Sequence, residues 1–140
     1  MLRPFYPLAG LVLGGMAALG GIAALALGLP TPVAALVSLS LQVVLTGAMH
    51  EDGLADTADG LWGGWTPARR LEIMKDSHIG SYGVIALILS LGARGVALWL
   101  LFEVSPALAT SAILAAALLS RAMMPLVMCA LPHARASGLS

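Results

Sequence analysis

The chain has 140 residues, 59% of them hydrophobic and 10% charged, with a mean hydropathy of +0.95 and zero formal net charge. Soluble domains carry about 25% charged residues, so the composition argues against a water-soluble globule, and the lack of any basic run argues against nucleic acid as a partner. The single cysteine, Cys129, lies in an apolar stretch, where it cannot form an internal disulfide and reads as a small packed side chain.

The first apolar segment, at about 7–29, follows Arg3. It exceeds the roughly 7–15 residues of a secretory hydrophobic region and matches the ~20 residues that cross a bilayer as a helix, so it reads as a retained span. Gly10, Gly14, Ala17 and Gly21 recur along it at near four-residue spacing, a pattern that lets helices approach closely in lipid. "GLPTP" at 28–32 is a turn. A second span follows at about 33–49. With no stop signal recognised before the carboxylates, its helix is expected to run out of the membrane through about Asp59 and to end at Gly60 or Gly63-Gly64.

"TPARRLEIMKD" restarts a helix, with Thr66 as N-cap and Pro67 at the first helical position. Leu71 and Met74, together with Arg69, Arg70 and Lys75, describe a short amphipathic helix on the membrane surface, its basic residues facing either lipid headgroups or a substrate. Two further spans, at about 82–104 and 107–131, are divided by "FEVSP" at 102–106. Nothing alternates like a barrel strand, and backbone in lipid must satisfy itself internally, so the spans are helices. The expectation is an all-α integral membrane protein: one membrane domain over 1–140, a bundle of about four transmembrane helices with a short cytoplasmic amphipathic helix, and an active-site segment at 50–81.

Four crossings place the N-terminus, the 50–80 segment and the C-terminus on one side, together with Arg3, Arg69, Arg70, Lys75 and Arg135. The two opposite connections hold no Lys or Arg, so the positive-inside rule puts the acidic segment and both termini in the cytoplasm, at the cell inner membrane. Arg94 and Arg121 lie inside spans, where a charge costs about 2.5–3.5 kcal/mol on insertion scales, and so should face the bundle interior. Arg121 sits about 15 Å below the cytoplasmic end of its helix, at about 1.5 Å per residue, where it could bind a phosphate in a cavity or pair with an acid. Arg94 reads as structural, snorkelling or pairing with Glu103 of a neighbouring copy, which leaves a homo-oligomer open.

"HEDGLADTADG", from His50, contains Glu51, Asp52, Asp56 and Asp59, four of the chain's 7 acidic residues. On a helix Asp52, Asp56 and Asp59 fall within an arc of roughly 60°, and stacked like charges destabilise it unless a cation neutralises them. No Lys or Arg occurs between Arg3 and Arg69 to do so. Hard carboxylate oxygens beside a membrane suit Mg²⁺, which takes a few carboxylates with waters and substrate phosphates. Gly53, beside the stripe, would let a ligand or a helix approach the backbone. His50, on the opposite side, reads as interfacial. The alternative is a small ion transporter or channel subunit using the carboxylates as a cation site, but the first two spans show almost no polar residues before Gln42.

"HEDGLADTADG" followed by "RRLEIMKDSHIGSYG" resembles the cobalamin synthase (adenosylcobinamide-GDP ribazoletransferase) family of membrane enzymes, and a weaker likeness continues through Arg121 and "LPHARASGL" at 131–139. The resemblance implies a Mg²⁺-dependent transferase at the cytoplasmic membrane. It would join adenosylcobinamide-GDP to α-ribazole, or its 5′-phosphate, with release of GMP. It further implies that Glu51, Asp52, Asp56 and Asp59 hold the metal, and it matches Lys75, Asp76 and Ser77 to the family's second block. His78 stands where an arginine is more usual. Glu51 and Asp76, off the main stripe, are the candidates for general base. Lys75, Ser77, Arg121 and Arg135 are the candidates for substrate phosphate. Members of the family are longer than this chain, which implies a fragment or a partner half.

Overall fold

A computed structural model describes residues 6–130, and six helices account for nearly all of them. They are α1 Tyr6–Ala26, α2 Thr31–Leu45, α3 Met49–Gly63, α4 Pro67–Ile73, α5 Ser81–Val104 and α6 Pro106–Ala130. α1 packs between α2 and α6, while α5 contacts α2, α3 and α6, and α4 folds back on α3. The expected all-helical membrane architecture is present. Leu8–Ala26, Ser81–Val104 and Pro106–Met124 are each long and apolar enough to cross a bilayer, and a fourth crossing is available if the bent pair α2 and α3 counts as one.

The core is made of small side chains: Ala17, Ala18, Ala24, Ala34, Ala35 and Ala109 are buried, with Leu39, Leu98, Phe102 and Ile113 filling between them. Such packing brings backbones close and relies on dispersion contacts, because lipid removes most of the hydrophobic drive between helices. The stripe on α1 serves this purpose. A Cβ at Gly14 would lie 2.8 Å from that of Ala117, and one at Gly21 would lie 2.7 Å from the ring of Phe102.

The second span departs from the sequence expectation of one continuous helix through Asp59. α2 ends at Leu45, α3 begins at Met49, and their axes differ by 82°. The cause is a Schellman cap: Gly47 N–H donates to Val44 O at 3.0 Å and Ala48 N–H to Val43 O at 2.9 Å, with Gly47 at φ 64° and Ala48 at φ 57°. The same device closes α1, where Gly28 at φ 80° precedes Leu29 N–H donating to Ala24 O at 3.0 Å. Gly47 was therefore a stop signal, hidden because apolar residues continue on both sides of it. The turn at "FEVSP" is as expected, with Ser105 extended and its Oγ accepting from Leu108 N–H at 3.0 Å to start α6.

Candidate active site

α3 carries the acidic segment and is fastened at both ends. Near its start, Glu51 is buried and its Oε1 accepts from Arg94 Nη1 of α5 at 2.7 Å. Near its end, Asp59 is buried and receives two backbone N–H groups from the first turn of α5: Gly80 N at 2.7 Å and Gly83 N at 2.9 Å. Gly80, the N-cap of α5, supplies no side-chain cap of its own, so Asp59 caps that helix from across the interface and sets its carboxylate against the positive end of the helix dipole. The glycines leave room for it, since the Asp59 carboxylate occupies the space a Cβ would need at either position.

α3 and α4 form a tight hairpin. Thr66 Oγ1 accepts from Arg69 N–H at 3.3 Å and Pro67 opens α4, as the sequence indicates. Arg70 Nε donates to Gly64 O at 2.8 Å, and a Cβ at Gly60 would strike the side chain of Met74. Trp62 stacks on Tyr82 at a centroid distance of 6.3 Å, linking the end of α3 to the start of α5. Between this hairpin and the start of α5 lies an open cavity of about 650 Å³, whose lining includes Asp59, Arg69, Glu72, Lys75, Asp76, His78 and Tyr82. Arg69 pairs with Glu72 at 2.7 Å, an exposed pair of little energetic weight. Ser77 is exposed on the loop beyond.

His78 Nδ1 and Asp76 Oδ1 are 2.7 Å apart, and His78 N–H also donates to Asp76 Oδ1 at 3.2 Å. These bonds hold the Asp76 carboxyl below its ordinary range and raise the His78 imidazole above its usual 6.5. The ion pair's contribution to loop order is fully present above the ordinary pKa of Asp76 and below that of His78. It fades as pH falls through the lowered carboxyl value or rises through the raised imidazole value. An NMR titration should accordingly find His78 titrating above a free histidine, and Asp76→Asn should return it toward 6.5.

The sequence placed Glu51, Asp52, Asp56 and Asp59 around one ion. Among the described residues no group of three or more His, Cys, Asp or Glu side chains is arranged to hold a metal. The burial of α3 shows why: Glu51, Ala55, Ala58 and Asp59 form its inner face, whereas Asp52 is exposed and Asp56 half-buried. The 60° arc therefore straddles the edge of the packed face, and Asp59 lies on the inner side of it. Space beyond Gly53 is open, as the sequence suggested.

Arg94 corrects a second expectation, since its partner is Glu51 of the same chain rather than Glu103 of a neighbour. Glu103 instead accepts from Trp99 Nε1 at 3.1 Å and from the Thr31 hydroxyl. Arg121 and Arg94 share a second, smaller cavity of about 250 Å³ with Glu51 and His50, removed from Lys75 and Asp76. Of the candidate residues, Asp59, Lys75 and Asp76 line the larger cavity and Glu51 and Arg121 the smaller, while Asp52, Asp56 and Ser77 line neither of the two. Arg135 lies outside the described residues.

A model of the CobS family, described as cobalamin-5-phosphate synthase, matches residues 3–140. The chain belongs to this family. It is 54% identical over 134 residues to adenosylcobinamide-GDP ribazoletransferase of Azorhizobium caulinodans, and 52% identical to the protein of that name from Bradyrhizobium diazoefficiens; each alignment covers 96% of this chain and 51% of the relative. The relative of that name from Brucella canis is 41% identical over 136 residues. This CobS-family chain therefore spans about half the length of the curated relatives it matches. No solved structure matches it.

Sequence reasoning left Arg69 between lipid and substrate, and missed Glu72, His78 and Tyr82 as cavity residues and Arg94 as the partner of Glu51. The latter was recoverable in principle: an arginine inside a span needs an acid, and Glu51 stands at the head of the helix packed beside it.

Proposed function

We propose that the chain forms the acidic half of a membrane transferase that joins adenosylcobinamide-GDP to α-ribazole or its 5′-phosphate and releases GMP. The observation that carries the reading is the family match running through the acidic segment and Lys75–Ser77. The larger cavity supports it chemically, because Arg69 and Lys75 offer positive charge to phosphates while Asp76 offers a base within the same space.

In this reading the ribazole hydroxyl attacks the phosphate on the corrinoid side of the pyrophosphate, the bond to GMP breaks, and Asp76 takes the hydroxyl proton. Lys75 draws the pyrophosphate into the cavity, with Ser77 beside it and Arg135 as a further phosphate ligand. Exposed Asp52 and half-buried Asp56, four residues apart on α3, are the pair that would hold Mg²⁺ together with substrate phosphates, since this ion commonly takes only one or two carboxylates. Once bound, it would neutralise charge gathering on the departing GMP. Glu51 and Asp59 instead hold the helix in place.

We assign the active-site segment and both termini to the cytoplasm: if α2 and α3 count as one crossing, the chain crosses four times, and the positive-inside rule then favours the side that carries Arg69, Arg70 and Lys75. Ser105→Cys, in a Cys129→Ser background, should react with an impermeant maleimide added outside; labelling only after permeabilisation would reverse the orientation.

The reaction is tested by supplying adenosylcobinamide-GDP, α-ribazole and Mg²⁺ to membranes carrying the full-length protein, and following GMP and cobalamin by chromatography. Both products should appear together, and neither should form with Mg²⁺ chelated. A protein that yields neither product but conducts cations in vesicles would replace the transferase with an ion pathway.

A further inference from the structure

Among the described residues, the smaller cavity has an unmet acceptor and an unmet cation. Glu51 is 8% exposed, and while Oε1 is taken by Arg94, its buried Oε2 has no hydrogen-bond partner among the described residues. A carboxylate oxygen left without a donor is costly, and such atoms usually mark an absent partner. In the same cavity Arg121 reaches only the carbonyl of Ala117 on its own helix, through a long 3.3 Å bond, and has no ion pair with a described residue. Charges held within spans at this cost are functional by default.

A ligand for this cavity must donate one hydrogen bond to Glu51 and carry negative charge for Arg121. A metal cation or an amine is disfavoured by two guanidinium groups. A carboxylate, a sulfate or a phosphodiester has charge but no donor at neutral pH, and a neutral amide or sugar has a donor but no charge. A phosphate monoester has both, because its second ionisation lies near neutrality and its monoanion keeps a P–OH group.

We propose that this cavity is a phosphate-monoester site, in which the P–OH donates to Glu51 Oε2 and the anionic oxygens accept from Arg121. Arg94 acts as a positioning residue, aiming Glu51 into the cavity. The chemistry of the site stands on the geometry alone; assigning the ester to a sugar phosphate such as the acceptor's 5′-phosphate rests on the transferase reading.

The test is calorimetric titration of the detergent-purified chain with inorganic phosphate and, separately, with sulfate at matched ionic strength and neutral pH. Phosphate should bind at least about a hundredfold more tightly, because sulfate leaves the buried carboxylate unpaired and repelled. Glu51→Gln, whose amide can donate to either anion, should erase the preference, and Arg121→Gln should weaken both. Equal binding of the two anions by the wild-type chain, or binding of neither, overturns the site even if a variant fails to fold. Ribose 5-phosphate should displace phosphate. Displacement by phosphatidic acid micelles alone would assign the cavity to a lipid headgroup and overturn its substrate role. Binding is read without turnover, so a silent transferase assay leaves this result intact, and equal anion binding leaves the transferase reading intact.

Discussion

Replacing Arg94 with methionine should destabilise the protein by about 3 kcal/mol, in the range seen when one member of a buried ion pair is removed and the other is stranded. Arg94 is 39% exposed at its side chain, but Glu51 is only 10% exposed, so the loss falls on the carboxylate left behind. The double replacement Glu51→Leu with Arg94→Met should recover most of the stability, because a packed apolar pair of similar volume avoids desolvating either charge. Denaturant titration of the purified protein, monitored through its tryptophans, separates the cases. If Arg94→Met costs less than about 1 kcal/mol, or the double replacement is no better, the pair does not hold α3 to α5.

The second large effect concerns turnover and divides the four carboxylates. Asp56→Asn should reduce kcat by at least about a hundredfold, equivalent to about 2.7 kcal/mol of lost transition-state stabilisation, with little change in unfolding midpoint. Asp59→Asn should behave differently. One oxygen remains to accept from the amides of Gly80 or Gly83, so turnover should stay within about tenfold and its Mg²⁺ dependence should not move. Asp59→Ala removes both bonds and should cost about 1–2 kcal/mol of stability, the scale of a lost helix cap. Loss of Mg²⁺ dependence in Asp59→Asn would return this residue to the ion.

Much of this was legible in the chain because membrane helices announce themselves through length and hydropathy. The turns at Gly28 and Ser105, the Thr66-Pro67 helix start and the small-residue face of α1 all rest on local chemistry, and each appears in the structure. What the sequence concealed is non-local. The spacing of Asp52, Asp56 and Asp59 defines one side of a helix, but which edge of that side is packed depends on where α5 lies. The fate of Asp59 was settled by two backbone amides more than twenty residues away, and backbone donors leave no trace in side-chain identity. Gly47 was visible as a letter but lay in a run apolar enough to pass for uninterrupted helix.

The bend at Gly47-Ala48 should make the protein sensitive to the thickness of its membrane. α2 has 15 residues and so reaches about 22 Å, short of the ~30 Å hydrocarbon layer. If α2 and α3 together form one crossing, the shortfall must be met by the apolar stretches of α3 or by local thinning of the bilayer, at a fraction of a kcal/mol per ångström of mismatch. A thicker bilayer would draw α3 inward, and Asp52 and Asp56 would resist entering hydrocarbon. Reconstitution in phosphatidylcholines of increasing acyl length should therefore depress activity well before the longer spans α5 and α6 come under strain.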